Sequence, residues 1–174
     1  MKLSVREIAV FGVLGAIMYA SKLIMEVLPN MHLLSMFIIA LTVVYRVKAL
    51  YPIYTFVLIT GLFSGFASWW LPYLYVWTIL WAGVMALPKK MTPKAATIAY
   101  MLLGAAHGCL YGCLYAPVQA LMFGLSFEGM LAWIAAGLPF DLIHGASNFF
   151  TGILVVPLVR ILKQAERIAA RGSR

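Results

Sequence analysis

The chain of 174 residues is 64% hydrophobic and only 10% charged, and its mean hydropathy is +0.98. A soluble domain is about 45–50% apolar and about 25% charged, so one soluble core could not enclose this excess and the outer surface must face lipid. The net charge of +8 comes from 13 Lys and Arg residues set in short clusters between apolar runs; with no basic stripe interleaved with aromatics, nucleic acid is excluded as a partner.

A spanning helix needs about 20 mostly apolar residues. The sequence predicts an all-α membrane protein whose six spans lie near 6–27, 32–46, 49–67, 72–88, 94–122 and 139–163, forming one domain over residues 1–174. Lys2 and Arg6 precede a first apolar run that outlasts the core of a signal peptide, so it is read as a helix that stays. Gly12, Ala16 and Ala20, with Gly15 beside them, leave a smooth strip on that helix, suited to packing inside the bundle or against another protein. Near its outer end Lys22 and Glu26 share a face at i, i+4. They form either a snorkelling interfacial pair or charges beside an outward-opening cavity, and the loop that follows brings Asn30 and His32.

Only Arg46-Val47-Lys48 separates the second and third spans, which implies a tight turn. The third and fourth are joined by "SWWLPYLYVW", residues 68–77. Trp69, Trp70 and Tyr73 suit an interfacial aromatic belt, or a cover that stacks on a flat ligand. Along the fifth span, His107, Tyr111, Tyr115 and Gln119 recur every four residues beside a row of Gly104, Gly108 and Gly112. The glycines permit close helix approach, while the adjacent edge presents rings and polar groups. Cys109 and Cys113 share a helix face, a poor geometry for a mutual disulfide, and are read as packing residues. "FEGMLAWIAAG" reads as a short outer-surface helix broken at Gly137 and Pro139. The last span then carries Asp141, His144 and Asn148 on one face at about 100° per residue. Asp141 suits a helix start, and the other two suit interhelical hydrogen bonds; together they also suit a ligand pocket.

All 13 basic residues except Lys22 fall at the start of the chain, around the 2–3 and 4–5 connections or at the end of the chain from Arg160 on, and the opposite connections carry none. Six spans with both termini cytoplasmic satisfy the positive-inside rule. The tail from Lys163 to Arg174 extends as a helix at the cytoplasmic surface. The chain lacks the phosphate loop GxxxxGK[ST], and HExxH, GxSxG and zinc-spaced Cys/His clusters are also missing. A non-enzymatic protein without cofactor or metal is therefore expected.

The layout, "GAIMYA" with its Ala16/Ala20 pair, and "PFDLIHGASNFFTG" together resemble the substrate-binding S components of energy-coupling factor (ECF) transporters, over essentially the whole chain. That resemblance implies a multi-pass protein of the prokaryotic cell membrane that captures a small water-soluble vitamin or precursor on the outer side. Its implied partners are membrane lipid, a transmembrane coupling subunit docked on Gly12, Ala16 and Ala20, and two cytoplasmic ATPases that hydrolyse ATP on other chains. It also implies a ligand in the outer half, among Asp141, His144, Asn148, Trp69, Trp70, Tyr73, Tyr111, Tyr115, Gln119, Lys22, Glu26, Asn30 and His32. Aromatic stacking favours a heteroaromatic ligand. The rival readings are a stand-alone secondary transporter with Asp141 and His144 as a proton relay, a membrane-embedded enzyme, and a structural subunit.

Overall fold

The computed structural model describes residues 3–28 and 31–172. Among them there is no strand: eight α-helices follow one another with short 3-10 turns between some of them. Helix α1 (Val5–Met25) opens with a capping box, in which Ser4 Oγ accepts from Glu7 N at 3.2 Å and Ser4 N donates to Glu7 Oε2 at 2.9 Å. Helix α2 (Leu34–Tyr45) ends at Arg46, the one non-glycine residue of positive φ (55°) among those described. After a 3-10 turn at Arg46–Ala49, α3 (Leu50–Ser64) returns along α4 (Tyr73–Ala86). Trp70 Nε1 donates to Val57 O at 2.8 Å, and Tyr54 Oη donates to Leu74 O at 2.7 Å. Thr92 caps α5 (Pro93–Cys109), with Pro93 in the first turn where its missing N–H costs nothing. Helix α6 (Tyr111–Phe123) ends at Gly124 in the left-handed region, φ 63°. Ser126 caps α7 (Phe127–Thr151), and a 3-10 turn at Gly152–Leu154 leads into α8 (Val155–Gly172).

Four stretches are long and apolar enough to cross a membrane: Val5–Met25, Leu34–Ser64, Pro93–Phe123 and Phe127–Arg171. Helix α2 is the centre of the bundle, buried from Leu34 through Thr42 apart from Phe37, and packed by α1, α4, α5, α7 and α8. Its Thr42 hydroxyl is satisfied within the helix, on Ile38 O at 2.6 Å. Helix α1 instead buries only Phe11, Gly15 and Met18, and exposes Ile8, Val13, Ile17 and Ile24. An apolar helix with an apolar outer surface is what lipid as solvent permits.

One expectation is corrected. The predicted break at Gly137 and Pro139 does not occur, and α7 runs through both without interruption. Proline removes one helical N–H but keeps a helical φ, and without water to satisfy freed carbonyls, continuing the helix costs less than opening it. The predicted fifth span matches the apolar stretch Pro93–Phe123, with a turn at Leu110 (φ −96°, ψ 3°) that separates α5 from α6. That junction matters for the site.

Polar contacts tie each end of the bundle. At one end Arg6 meets Glu166 at 2.8 Å, Lys48 meets Glu7, and Arg46 donates to Met85 O at 3.4 Å. At the other end the loop after α1, the α3–α4 connection, α6 and α7 converge, through His32 against His144 and Tyr115 Oη on Trp69 O at 2.9 Å.

Candidate functional site

The site is organised by the seam between α5–α6 and α7. A Cβ on Gly108 would lie 2.8 Å from Asn148 Nδ2 and from Gly145 Cα, and one on Gly112 would overlap the Asp141 carboxylate. From the other side, a Cβ on Gly145 would overlap Cys109 Sγ. The glycine row therefore does what its spacing implies, and the face it admits is the polar stripe of α7. Cys109 is a packing residue in this seam, and both cysteines are free thiols.

Asp141 does not have the helix-start role expected of it. It is far from the start of α7, and both carboxylate oxygens accept from Gly112 N, at 3.1 and 3.0 Å. Gly112 is the second residue of α6, whose first N–H groups have no partner within their own helix. Asp141 thus caps the α6 N-terminus from across the seam, where its negative charge also suits the helix dipole. The division at Leu110 creates the orphan donor, and Asp141 satisfies it.

Around this seam the rings form one contiguous cluster. His32 and His144 meet edge to face with centroids 4.4 Å apart, and Tyr111 lies 4.8 Å from both His144 and Tyr115. Tyr73 joins Tyr115 at 6.4 Å, Trp77 at 5.2 Å and Trp69 at 5.7 Å. Trp77 lies 5.8 Å from His107, closing the circuit. His107 Nε2 is 3.1 Å from Val76 O. A carbonyl can only accept, so Nε2 carries the proton and Nδ1 presents a lone pair.

Several polar atoms in this cluster are buried without a hydrogen-bond partner among the described residues: His32 Nδ1, His107 Nδ1, His144 Nε2, Trp77 Nε1, and both Oδ1 and Nδ2 of Asn148. His144 is 3% exposed and Asn148 1%. An unsatisfied buried polar group costs about 1–3 kcal/mol, so a set of them in one region is expensive for a purely structural core. All of these groups are uncharged or readily neutral, and together they offer an indole N–H, a carboxamide and imidazole nitrogens.

The remaining predicted residues divide clearly. Lys22 is bound to Glu26 at 2.6 Å. Trp70 does not join it: its N–H is committed to Val57 O, and its ring packs on Phe66 with centroids 4.9 Å apart. Gln119 is half-buried one turn beyond Tyr115 and makes no hydrogen bond to the described residues. Asn30 lies outside the described residues. Trp77 was not among the predicted site residues, although Trp69, Tyr73 and Trp77 recur every four residues and so share a helix face. On α1, Gly15 packs against Thr55, whereas Ala16 and Ala20 are exposed and a Cβ on Gly12 would meet nothing within 4 Å. The small-residue strip therefore points away from the chain's own bundle.

Among the described residues no group of three His, Cys, Asp or Glu side chains is placed to hold a metal ion. The chain matches no protein-family model, no curated protein and no solved structure.

Proposed function

We propose that this protein is the substrate-binding membrane subunit of an ECF-type importer, with six spans and both termini cytoplasmic. It captures a small, flat, water-soluble vitamin or precursor from outside. The observation that carries this reading is the set of buried, partnerless polar atoms on Trp77, His32, His107, His144 and Asn148 within a continuous aromatic cluster. From Pro93 to Leu110 the chain rises about 27 Å at 1.5 Å per residue, close to one hydrocarbon thickness. The cluster then lies near the interface opposite the basic end, where a ligand would arrive from water.

The geometry also narrows the ligand. Asp141 is used by Gly112, and Lys22 and Glu26 neutralise each other. The unused groups are neutral, so the ligand is an uncharged heteroaromatic with neighbouring donors and acceptors, stacked by Tyr73, Trp77 and Tyr111. Commitment of Asp141 to a backbone N–H weighs against the rival proton-relay transporter. The strip of exposed Ala16 and Ala20 with half-buried Gly12 is the docking face for a coupling subunit, and two ATPases on other chains supply the energy.

The test is a thermal-shift and native mass-spectrometry screen of the purified chain against a vitamin and precursor panel. A neutral heteroaromatic hit, lost in Asn148→Leu, is expected. A panel without a hit, together with accumulation of substrate by the chain alone under a proton gradient, would replace this reading with the secondary transporter.

A further inference from the structure

The basic end of the bundle carries a feature that the proposed function does not use. Two adjoining cavities, of about 150 and 210 Å³, open between the α2–α3 turn, the α4–α5 connection, α5 and α8. Both are lined by Lys89, Lys163 and Tyr100; Arg46 lines the first and Arg160 the second. Four cations therefore border one cleft, and no carboxylate does.

The chain has five acidic residues, and all are engaged or placed elsewhere. Glu7 holds Lys48, Glu26 holds Lys22, Glu166 holds Arg6, Asp141 caps α6 and Glu128 sits in the first turn of α7. Among the described residues, none of Arg46, Lys89, Arg160 and Lys163 is in an ion pair. The larger neighbouring cavity, about 640 Å³, differs on this point: Glu7 and Glu166 line it, and each is paired with a cation. Tyr100 adds a neutral donor to the cationic cleft. It is 6% exposed, and its hydroxyl has no hydrogen-bond partner among the described residues. Like charges facing one another across a cleft repel, and an anion between them would relieve that repulsion and link three separate segments.

We propose that this cleft binds a phosphate group, supplied by the headgroup of an anionic phospholipid. Two features favour lipid over free phosphate. The walls beside the cations are apolar, with Val43 and Met91 shared by both cavities and Val156 and Val159 in the second. A basic cleft at the end of an apolar bundle also sits at headgroup depth, where phosphate and acyl chain arrive together.

The test uses the purified full chain and short-chain dioctanoyl-phosphatidylglycerol as probe, with dioctanoyl-phosphatidylcholine and inorganic phosphate in parallel, read by microscale thermophoresis. Lys89→Gln combined with Arg160→Gln alters two exposed side chains and is expected to weaken phosphatidylglycerol binding about twenty-five-fold, about fivefold for each basic residue lost. Lys90→Gln combined with Arg171→Gln removes the same charge from side chains that do not line the cleft, and is expected to change affinity by less than about threefold because both are exposed to screening by salt. Equal weakening by the two pairs would mean diffuse attraction and overturn the site. Equal affinity for phosphatidylcholine would overturn its preference for an anionic headgroup. Displacement of the lipid by micromolar inorganic phosphate would overturn the lipid source in favour of a soluble phosphate compound. Vitamin binding at the opposite end is read with different probes, so failure of either proposal is distinguishable from failure of the other.

Discussion

Replacing Asn148 by leucine sets ligand binding against stability. Leucine matches asparagine in heavy-atom count and in branching at the γ position, so the shape of the seam is nearly kept. Asn148 is 1% exposed, and neither side-chain polar atom has a partner among the described residues. Each unsatisfied buried group costs about 1–3 kcal/mol, so removing an acceptor and a donor together stabilises the fold. Against that, Nδ2 lies close to Gly108, and a slightly larger methyl there costs about 1–3 kcal/mol of overpacking. The net expectation is a protein about 1–3 kcal/mol more stable, with ligand affinity lowered roughly a hundredfold by loss of a two-point hydrogen-bonding group. Equilibrium unfolding in mixed SDS micelles reads the first quantity, and ligand-induced thermal shift reads the second. A variant about 1 kcal/mol or more less stable than the parent would refute the reasoning, because the amide would then be serving the fold.

Asp141 is expected to behave in the opposite way. Asp141→Ala strands the Gly112 N–H and costs about 2–3 kcal/mol, whereas Asp141→Asn keeps an acceptor and costs under about 1 kcal/mol; ligand affinity changes little in either folded protein. A large affinity loss in Asp141→Asn at unchanged stability would return the carboxylate to the binding site. Gly145→Ala drives a methyl into Cys109 Sγ and costs about 1–3 kcal/mol of overpacking. Adding Cys109→Ala recovers most of that loss in the same unfolding assay, unless the seam is looser than described. Ala16→Trp with Ala20→Trp abolishes co-purification with a coupling subunit while ligand binding is retained, since both residues face outward. Unimpaired assembly would remove that docking face.

Much of the site was legible because it follows from period. The glycine row on α5–α6, the ring row beside it and the polar stripe on α7 are all spacings of three or four, and the structure brings the three together as those spacings imply. Trp70 illustrates the limit: adjacent in sequence to Trp69, it points to a different neighbour and hydrogen-bonds to α3. Composition treats two tryptophans alike, whereas the turn that carries them does not. Pro139 misled for a related reason. Breaking a helix is what proline does where water can satisfy the freed carbonyl, and on the exposed apolar surface beside Leu138 and Phe140 the helix continues.

The sequence by itself determined the apolar character of the chain and the kind of element, because hydropathy and helical period are properties of a single segment. It also determined which residues share a face, and that the basic residues gather at one end. What those faces meet was decided only by the tertiary structure. The pairing of Asp141 with Gly112 depends on a helix ending at Leu110, a junction with no proline or run of polar residues to announce it. The same packing leaves Asn148, His144 and Trp77 without partners, because satisfaction of a hydrogen bond is a property of two segments and cannot be read from one.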